Sequence, residues 1–283
     1  MSEQIKAIIN WTEHGKPIFD CRDNDVYCVK HIKRSVNIPA HALYMRMQEF
    51  PDKTQSFIVI ADAKTKPKVC EFFQERNLAL ECILDWEQID SISELSYEKG
   101  SSNHFYWRPS KFIDEFIENE LSLTFPDGAC VLDLACGSGR DATYLALKGH
   151  QVYGVDYSTT ALTRAQLTSH YHGVDLALEE INLESSSVDL PDSFPRSFDA
   201  IVVCRYLHRP LFPIIKNWLS KGGLIAYQTF MQGAEQFGSP KNPNFLLKTG
   251  ELASTFQGFS VLRDEIHYLD DGRPISAFIA KKT

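Results

Sequence analysis

Long hydrophobic runs are missing from this 283-residue sequence. The longest plainly apolar stretch, FIVIA at residues 57–61, falls far short of the roughly 18 residues that a membrane span requires. The N-terminal stretch MSEQIKAIINWTEHGK has no long apolar core followed by a small-residue cleavage site, so it is not read as a secretory signal. A cytoplasmic protein without membrane attachment is the expectation. A basic excess is also lacking: 29 Lys and Arg stand against 37 Asp and Glu, a net charge of -8. That balance argues against a nucleic-acid partner held by a broad basic surface. Seven cysteines, at 21, 28, 70, 82, 130, 136 and 204, form no C-x-x-C pair and no regular framework. Disulfides, structural zinc and other metal sites are therefore not expected. Cys130 and Cys204 lie in apolar stretches, where a free thiol behaves as a small buried hydrophobe.

What remains is ordinary globular composition, with 43% hydrophobic and 23% charged residues, without internal repeats or low-complexity tracts. The length suggests two domains. Residues 17–86 alternate short strand-like runs (PIFDC, SVNIP, FIVIA, ECIL) with helical patterns at 40–49 and 67–76, an α/β grammar. Residues 88–103 are polar and carry Gly100-Ser101-Ser102, which reads as a linker. The boundary is set near residue 97, giving domains 1–97 and 98–283.

From residue 112 onward the elements lengthen. Helices are expected at 112–121, 140–148, 159–168 and 211–220, and strands at 129–135, 151–156, 176–181, 200–204 and 224–229. Two last strands, FSVLRDEIHY and ISAFIA, flank the turn DDGRP. Alternating strands and helices imply a mostly parallel, doubly wound sheet of seven strands with an antiparallel C-terminal hairpin.

The stretch VLDLACGSGRDATYLA (131–146) runs strand, glycine loop, helix. Gly137 and Gly139 let the backbone turn sharply and lie close to a ligand, and the following helix points free N–H groups at it. The glycines alone also fit the loose dinucleotide fingerprint G-x-G-x-x-G/A. Two carboxylates separate the readings. Asp133, four residues before Gly137, would repel a pyrophosphate but accepts hydrogen bonds from an ammonium such as that of S-adenosylmethionine (SAM). Asp156, 17 residues after Gly139, ends the next strand, where a carboxylate binds both hydroxyls of a ribose.

With these residues in view, 104–283 resembles a class I SAM-dependent methyltransferase of the tellurite-resistance and thiopurine methyltransferase group. CGSGRDATYLA is similar to that group's first motif, KGG (221–223) to the turn before its fifth strand, and NPNFLLKTGEL (242–252) to its late segment over the active site. The resemblance implies a Rossmann-like fold and a SAM site. Asp133, Ala135, Cys136, Gly137, Ser138 and Gly139 would surround the methionine moiety. Asp156 and Tyr157 would take the ribose and adenine, with Asn182, Leu183 and Cys204 completing the cofactor set. The third strand of the group usually ends in Asp, where this chain has Asn182; its side-chain oxygen still accepts from the adenine amine, with Glu180 and Glu184 as alternatives.

SAM carries an activated methyl group, so the enzyme's tasks reduce to aligning a nucleophile and excluding water. CRYLHRP (204–210) and AYQTF (226–230) follow strands four and five and would reach the acceptor crevice. His208 and Arg209 are the catalytic candidates on that side: an imidazole can take an acceptor proton, while both side chains could instead fix their loop. In HFYWRPS (104–110), Tyr106 and Arg108 are candidates for a lid over SAM and acceptor. Trp107 is read instead as a plug between domains, and Pro109-Ser110 as a helix start. The resemblance suggests a small acceptor, such as a thiol, selenium or tellurium nucleophile.

Residues 5–90 resemble a rhodanese-like domain: DCR (20–22) matches the D-V-R of that family, and HIKRSVNIP (31–39) its G-H-I-P-G-A-x-N-I-P signature. Where a sulfurtransferase carries its catalytic cysteine after the strand FIVIA, this chain has Asp62, which cannot carry a persulfide. The domain is therefore expected to be noncatalytic and to serve docking, substrate presentation or stability, with a protein partner as one use. Two other functions fit the same residues: a SAM-responsive binding module, and a methyltransferase acting on a protein or RNA recruited by the N-terminal domain.

Overall fold

The computed structural model describes residues 3–51, 55–76, 78–102 and 104–283. Met1 and Ser2 of the N-terminal stretch and Asn103 of the expected linker lie outside these. The chain forms two compact units, Met1–Arg108 and Pro109–Thr283.

Among its described residues the first unit holds six short strands: β1 (Ile18–Asp20), β2 (His31–Ile32), β3 (Val36–Asn37), β4 (Phe57–Ala61), β5 (Leu80–Asp85) and β6 (Tyr97–Glu98). Four of them make a parallel sheet in the order β3-β1-β4-β5. All five residues of β4 are buried, as a strand covered on both faces requires. The pleat divides them. Phe57 and Val59 join a cluster with Phe19 and Phe72, while Ile58 and Ile60 join Trp11 and Leu84 in another.

Two local expectations change here. The helix expected at 40–49 is a series of turns ending in a 3-10 turn, Met47–Glu49. Buried Arg46 donates to both Glu49 and the Asn37 carbonyl (2.9 Å), and this tertiary bond overrides local periodicity. The expected linker at 88–103 is partly built into the first unit, because β6 pairs antiparallel with β2 and Ile89 and Leu95 are buried.

The second unit holds β7 (Cys130–Leu134), β8 (Gln151–Asp156), β9 (Leu176–Glu180), β10 (Phe198–Cys204), β11 (Leu219–Gln228), β12 (Phe259–Tyr268) and β13 (Pro274–Lys282). Its seven-stranded sheet runs β12-β13-β11-β10-β7-β8-β9. The five strands from β9 to β11 are parallel, and β13 and β12 add the antiparallel hairpin. The result is a mixed, Rossmann-like α/β sheet. Inward residues of β10 and β11, including Ile201, Val203, Ile225 and Tyr227, meet Phe212, Phe256 and Phe278 in one core.

The helix Lys111–Phe116 begins at Ser110, whose Oγ accepts from the Ile113 N–H (3.3 Å), and it runs into a π-helical turn, Ile117–Leu121. From central β7 the chain winds first toward β8 and β9, then crosses to β10 and β11. The crevice at the C-terminal ends of β7 and β10 is the switch point where such sheets bind ligands. Among the described residues, no helix is long and apolar enough to cross a membrane.

Candidate active site

The crevice begins where β7 ends. Ala135 holds a left-handed backbone conformation, φ 57°, a costly state for a residue with a Cβ. Arg205, just past the end of the neighbouring β10, does the same at φ 58°. After Ala135 the Cys136 N–H donates to the Val155 carbonyl (3.0 Å) and the Gly139 N–H to the Cys136 carbonyl (3.0 Å), closing a turn that contains half-buried Ser138.

The two glycines of the turn do different work. A Cβ on Gly139 (φ 69°) would lie 2.5 Å from the Ala165 Cβ, so this glycine lets the loop pack against the helix Thr159–Tyr171. A Cβ on Gly137 (φ 55°) would meet no protein atom within 4 Å beyond its chain neighbours, so here the bare backbone borders open space.

Asp156, buried at the end of β8, ties this turn in place. Its Oδ2 accepts from the Gly137 N–H and its Oδ1 from the Ser158 N–H, both at 2.9 Å. Each carboxylate oxygen keeps further lone-pair capacity for a ribose hydroxyl. Asp133 is 3% exposed. Burial, with Asp141 and then Asp156 nearby, pushes its carboxyl well above the usual carboxylate range, so a cation placed beside it would be strongly favoured. The thiols of Cys136 and Cys204 are raised by burial and by neighbouring carboxylates, Asp133 among them. They stay protonated at neutral pH.

A cavity of about 330 Å³ opens on this framework, and Ala135, Asp156, Tyr157, Asn182 and Leu183 all line it. The Asn182 side-chain oxygen accepts from the Glu184 N–H (3.0 Å). Of the two alternative acids, Glu180 is bonded to Thr159 (3.0 Å), whereas Glu184 stands in the cavity wall. Ile181 and Tyr206 line it too; neither stands out in the sequence, although Tyr206 lies inside the CRYLHRP segment. The Tyr206 hydroxyl is buried without a hydrogen-bond partner among the described residues. Burial, with Glu184 and Asp156 close by, raises it to about 12, so it remains a donor.

A second cavity, about 400 Å³, is lined by His208, Arg209, Asn244 and Phe245 and shares Glu184 with the first. Arg209 does not offer its charge to this cavity. Its Nε and Nη2 bond the two carboxylate oxygens of Glu251 (2.6 and 3.0 Å), and Nη1 and Nη2 donate to the carbonyls of Asn244 (2.8 Å) and Leu246 (2.9 Å). These bonds fit the loop-fixing reading of Arg209, which ties the late segment 242–252 to the start of the 3-10 turn at Arg209. Within the first unit the Tyr106 ring packs edge-on to Phe19 and its hydroxyl donates to the Arg34 carbonyl (3.0 Å).

The donor set suits SAM: a buried carboxylate for the ammonium, backbone N–H groups and a bare glycine turn for the amino-acid tail, a second carboxylate for the ribose, and apolar walls with an amide for the adenine. Strand order, glycine turn and paired strand-end acids define a methyltransferase-type Rossmann-like domain.

Comparison with known proteins agrees. A family model for a methyltransferase domain matches residues 131–223. The ubiquinone biosynthesis O-methyltransferase of Chromobacterium violaceum is 30% identical over 162 residues, covering 53% of this chain and 68% of that protein. The uncharacterized protein UNK4.09 of Schizosaccharomyces pombe is 23% identical over 93% of this chain and 92% of its own length. Among solved structures, TehB from Haemophilus influenzae superposes with a TM-score of 0.49 at 17% identity, covering 62% of this chain and 63% of that one. Magnesium protoporphyrin IX methyltransferase from Synechocystis PCC 6803 with bound SAH gives 0.48 at 16%, covering 60% and 81%. The chain belongs to the class I SAM-dependent methyltransferases.

Proposed function

We propose that the chain methylates a small molecule seated in the cavity beside the cofactor site. The observation that carries this reading is the sharing of Glu184 by the two cavities, one with the strand-end acids and the other with His208. SAM, when bound, supplies a methyl group activated by its sulfonium. Asp133 would hold the ammonium of that cofactor and Asp156 its ribose, with the glycine turn between them beside the amino-acid tail. An acceptor oxygen gives its proton to an imidazole nitrogen of His208. With SAM held there, that oxygen would take the sulfonium methyl and S-adenosylhomocysteine (SAH) would be the product.

Two acceptor chemistries compete: the hydroxyl suggested by the names of the O-methyltransferase relatives, and the thiol, selenium or tellurium nucleophile expected from the sequence. The presence of His208 favours the hydroxyl. A phenol ionises near ~10 and needs a base, whereas a thiol near ~8.5 already supplies some thiolate at neutral pH. The test is incubation with SAM and catechols, thiols, selenite or tellurite, with SAH followed by mass spectrometry. Absence of SAH formation across the panel, in a protein that binds SAH, would overturn the reading.

The first unit, on the same proposal, is a noncatalytic rhodanese-like module that docks a protein partner or supports the fold in the cytoplasm. Supporting this, the loop opened by Asp62 has its amides engaged internally: the Thr65 N–H by Asp62 (2.9 Å) and the Ala63 N–H by Glu87 (3.3 Å). Sulfur transfer from thiosulfate to cyanide is expected to be absent, and measurable turnover would refute the assignment.

A further inference from the structure

The two cavities are lined by several groups that attract or tolerate positive charge and by one permanent cation, Arg209, among the described residues. That cation is already neutralised. Both carboxylate oxygens of Glu251 and two backbone carbonyls take the Arg209 Nε, Nη1 and Nη2 groups, leaving little for an anionic ligand to bind. Glu184, in contrast, stands in the walls of both cavities, and no ion pair or side-chain hydrogen bond compensates its carboxylate among the described residues. Phe245 presents a ring that is 44% exposed, a flat apolar surface for an aromatic or planar molecule.

We infer that Glu184 selects the acceptor by charge: the second cavity takes a planar molecule that is neutral or cationic, and rejects one carrying a carboxylate, phosphate or oxyanion. The inference rests on the reading of that cavity as the acceptor site. Like charges a few ångströms apart in a partly enclosed cavity repel strongly enough to change affinity on the order of tenfold. A hydroxyl or ammonium beside Glu184 instead donates a charge-assisted hydrogen bond. Oxyanions such as selenite and tellurite would be poor occupants of this site.

Three probes with one ring and one changed substituent test this: catechol, 3,4-dihydroxybenzylamine and 3,4-dihydroxybenzoate. Each is titrated by calorimetry into the full chain saturated with SAH, at about pH 8, above the ordinary imidazole range. Catechol and the amine are expected to bind at least about tenfold more tightly than the carboxylate. In Glu184→Gln, tighter binding of the carboxylate should narrow that gap to about threefold. Equal or tighter binding of the carboxylate by the unaltered chain, an unchanged gap in the variant, or failure of all three to bind would each overturn the inference. The SAH titration that precedes them separates the two levels of the argument. Absence of heat with SAH sinks the methyltransferase reading of the crevice, while normal SAH binding with no charge preference sinks only the role given to Glu184.

Discussion

The backbone N–H of Gly137 donates to Asp156 Oδ2 at 2.9 Å, so the turn after β7 and the end of β8 are fastened to each other by a carboxylate that also lines the first cavity. Asp156→Ala removes both the fastening and the charged acceptor. With hydrogen bonds to charged groups contributing about 1.5–3 kcal/mol each, SAH affinity should fall about a hundredfold or more by calorimetry. A folded variant that binds SAH as the unaltered chain does would contradict the assignment.

Gly139→Ala and Gly137→Ala should separate stability from binding. At Gly139 the new methyl would lie 2.5 Å from the Ala165 Cβ in a left-handed backbone. Overpacking and strain together should cost about 2–4 kcal/mol, read as a lower melting temperature. At Gly137 the methyl meets no protein atom, so stability should fall only by about 1 kcal/mol, while SAH binding weakens. The reverse pattern would show that the turn has been misread.

Asp133 predicts a proton-linked affinity. Burial and nearby carboxylates hold its folded-state pKa above the ordinary value. Its contribution to stability is therefore full below the usual carboxylate range, near ~3.9, and is lost as pH rises through the raised value. A bound ammonium favours the ionised form, so SAH binding should release a proton within that window. Calorimetry in buffers of different ionisation enthalpy measures this release, and Asp133→Asn should abolish it. Undiminished release from that variant would exclude Asp133 as the source.

Arg209→Met should leave cofactor binding nearly unchanged, because the guanidinium bonds the late segment and not the first cavity. With several hydrogen bonds lost, including those to partly exposed Glu251, stability should drop by about 1–3 kcal/mol. The acceptor KM should rise while the Kd for SAH holds. A tenfold loss of SAH affinity would place Arg209 in the cofactor site instead.

Much of the second unit was legible because its signals are local. Period-two and period-3.6 runs mark the elements, and Asp133, Gly137, Gly139 and Asp156 sit at strand ends where chain order dictates position. What the sequence hides is partners distant along the chain, such as Glu251 beside Arg209 and Phe19 against the Tyr106 ring. Tyr206 gave little warning, since an aromatic in a loop resembles any core residue. Glu180 and Glu184 could not be ranked before the strand register sent the first to Thr159. In the first unit, the helix expected at 40–49 gives way to turns, with Arg46 and Glu49 paired and buried.

Tying the outer wall of the second cavity to the Arg209 guanidinium and to the backbone bridge at Leu247 has an evolutionary consequence. Residues 242–246 belong to no strand of the seven-stranded sheet, so they can vary in length and chemistry without disturbing the nucleoside grip. A lineage that kept Arg209 and Glu251 while altering Asn244 or Phe245 would acquire new acceptors on an old methyl-donor site.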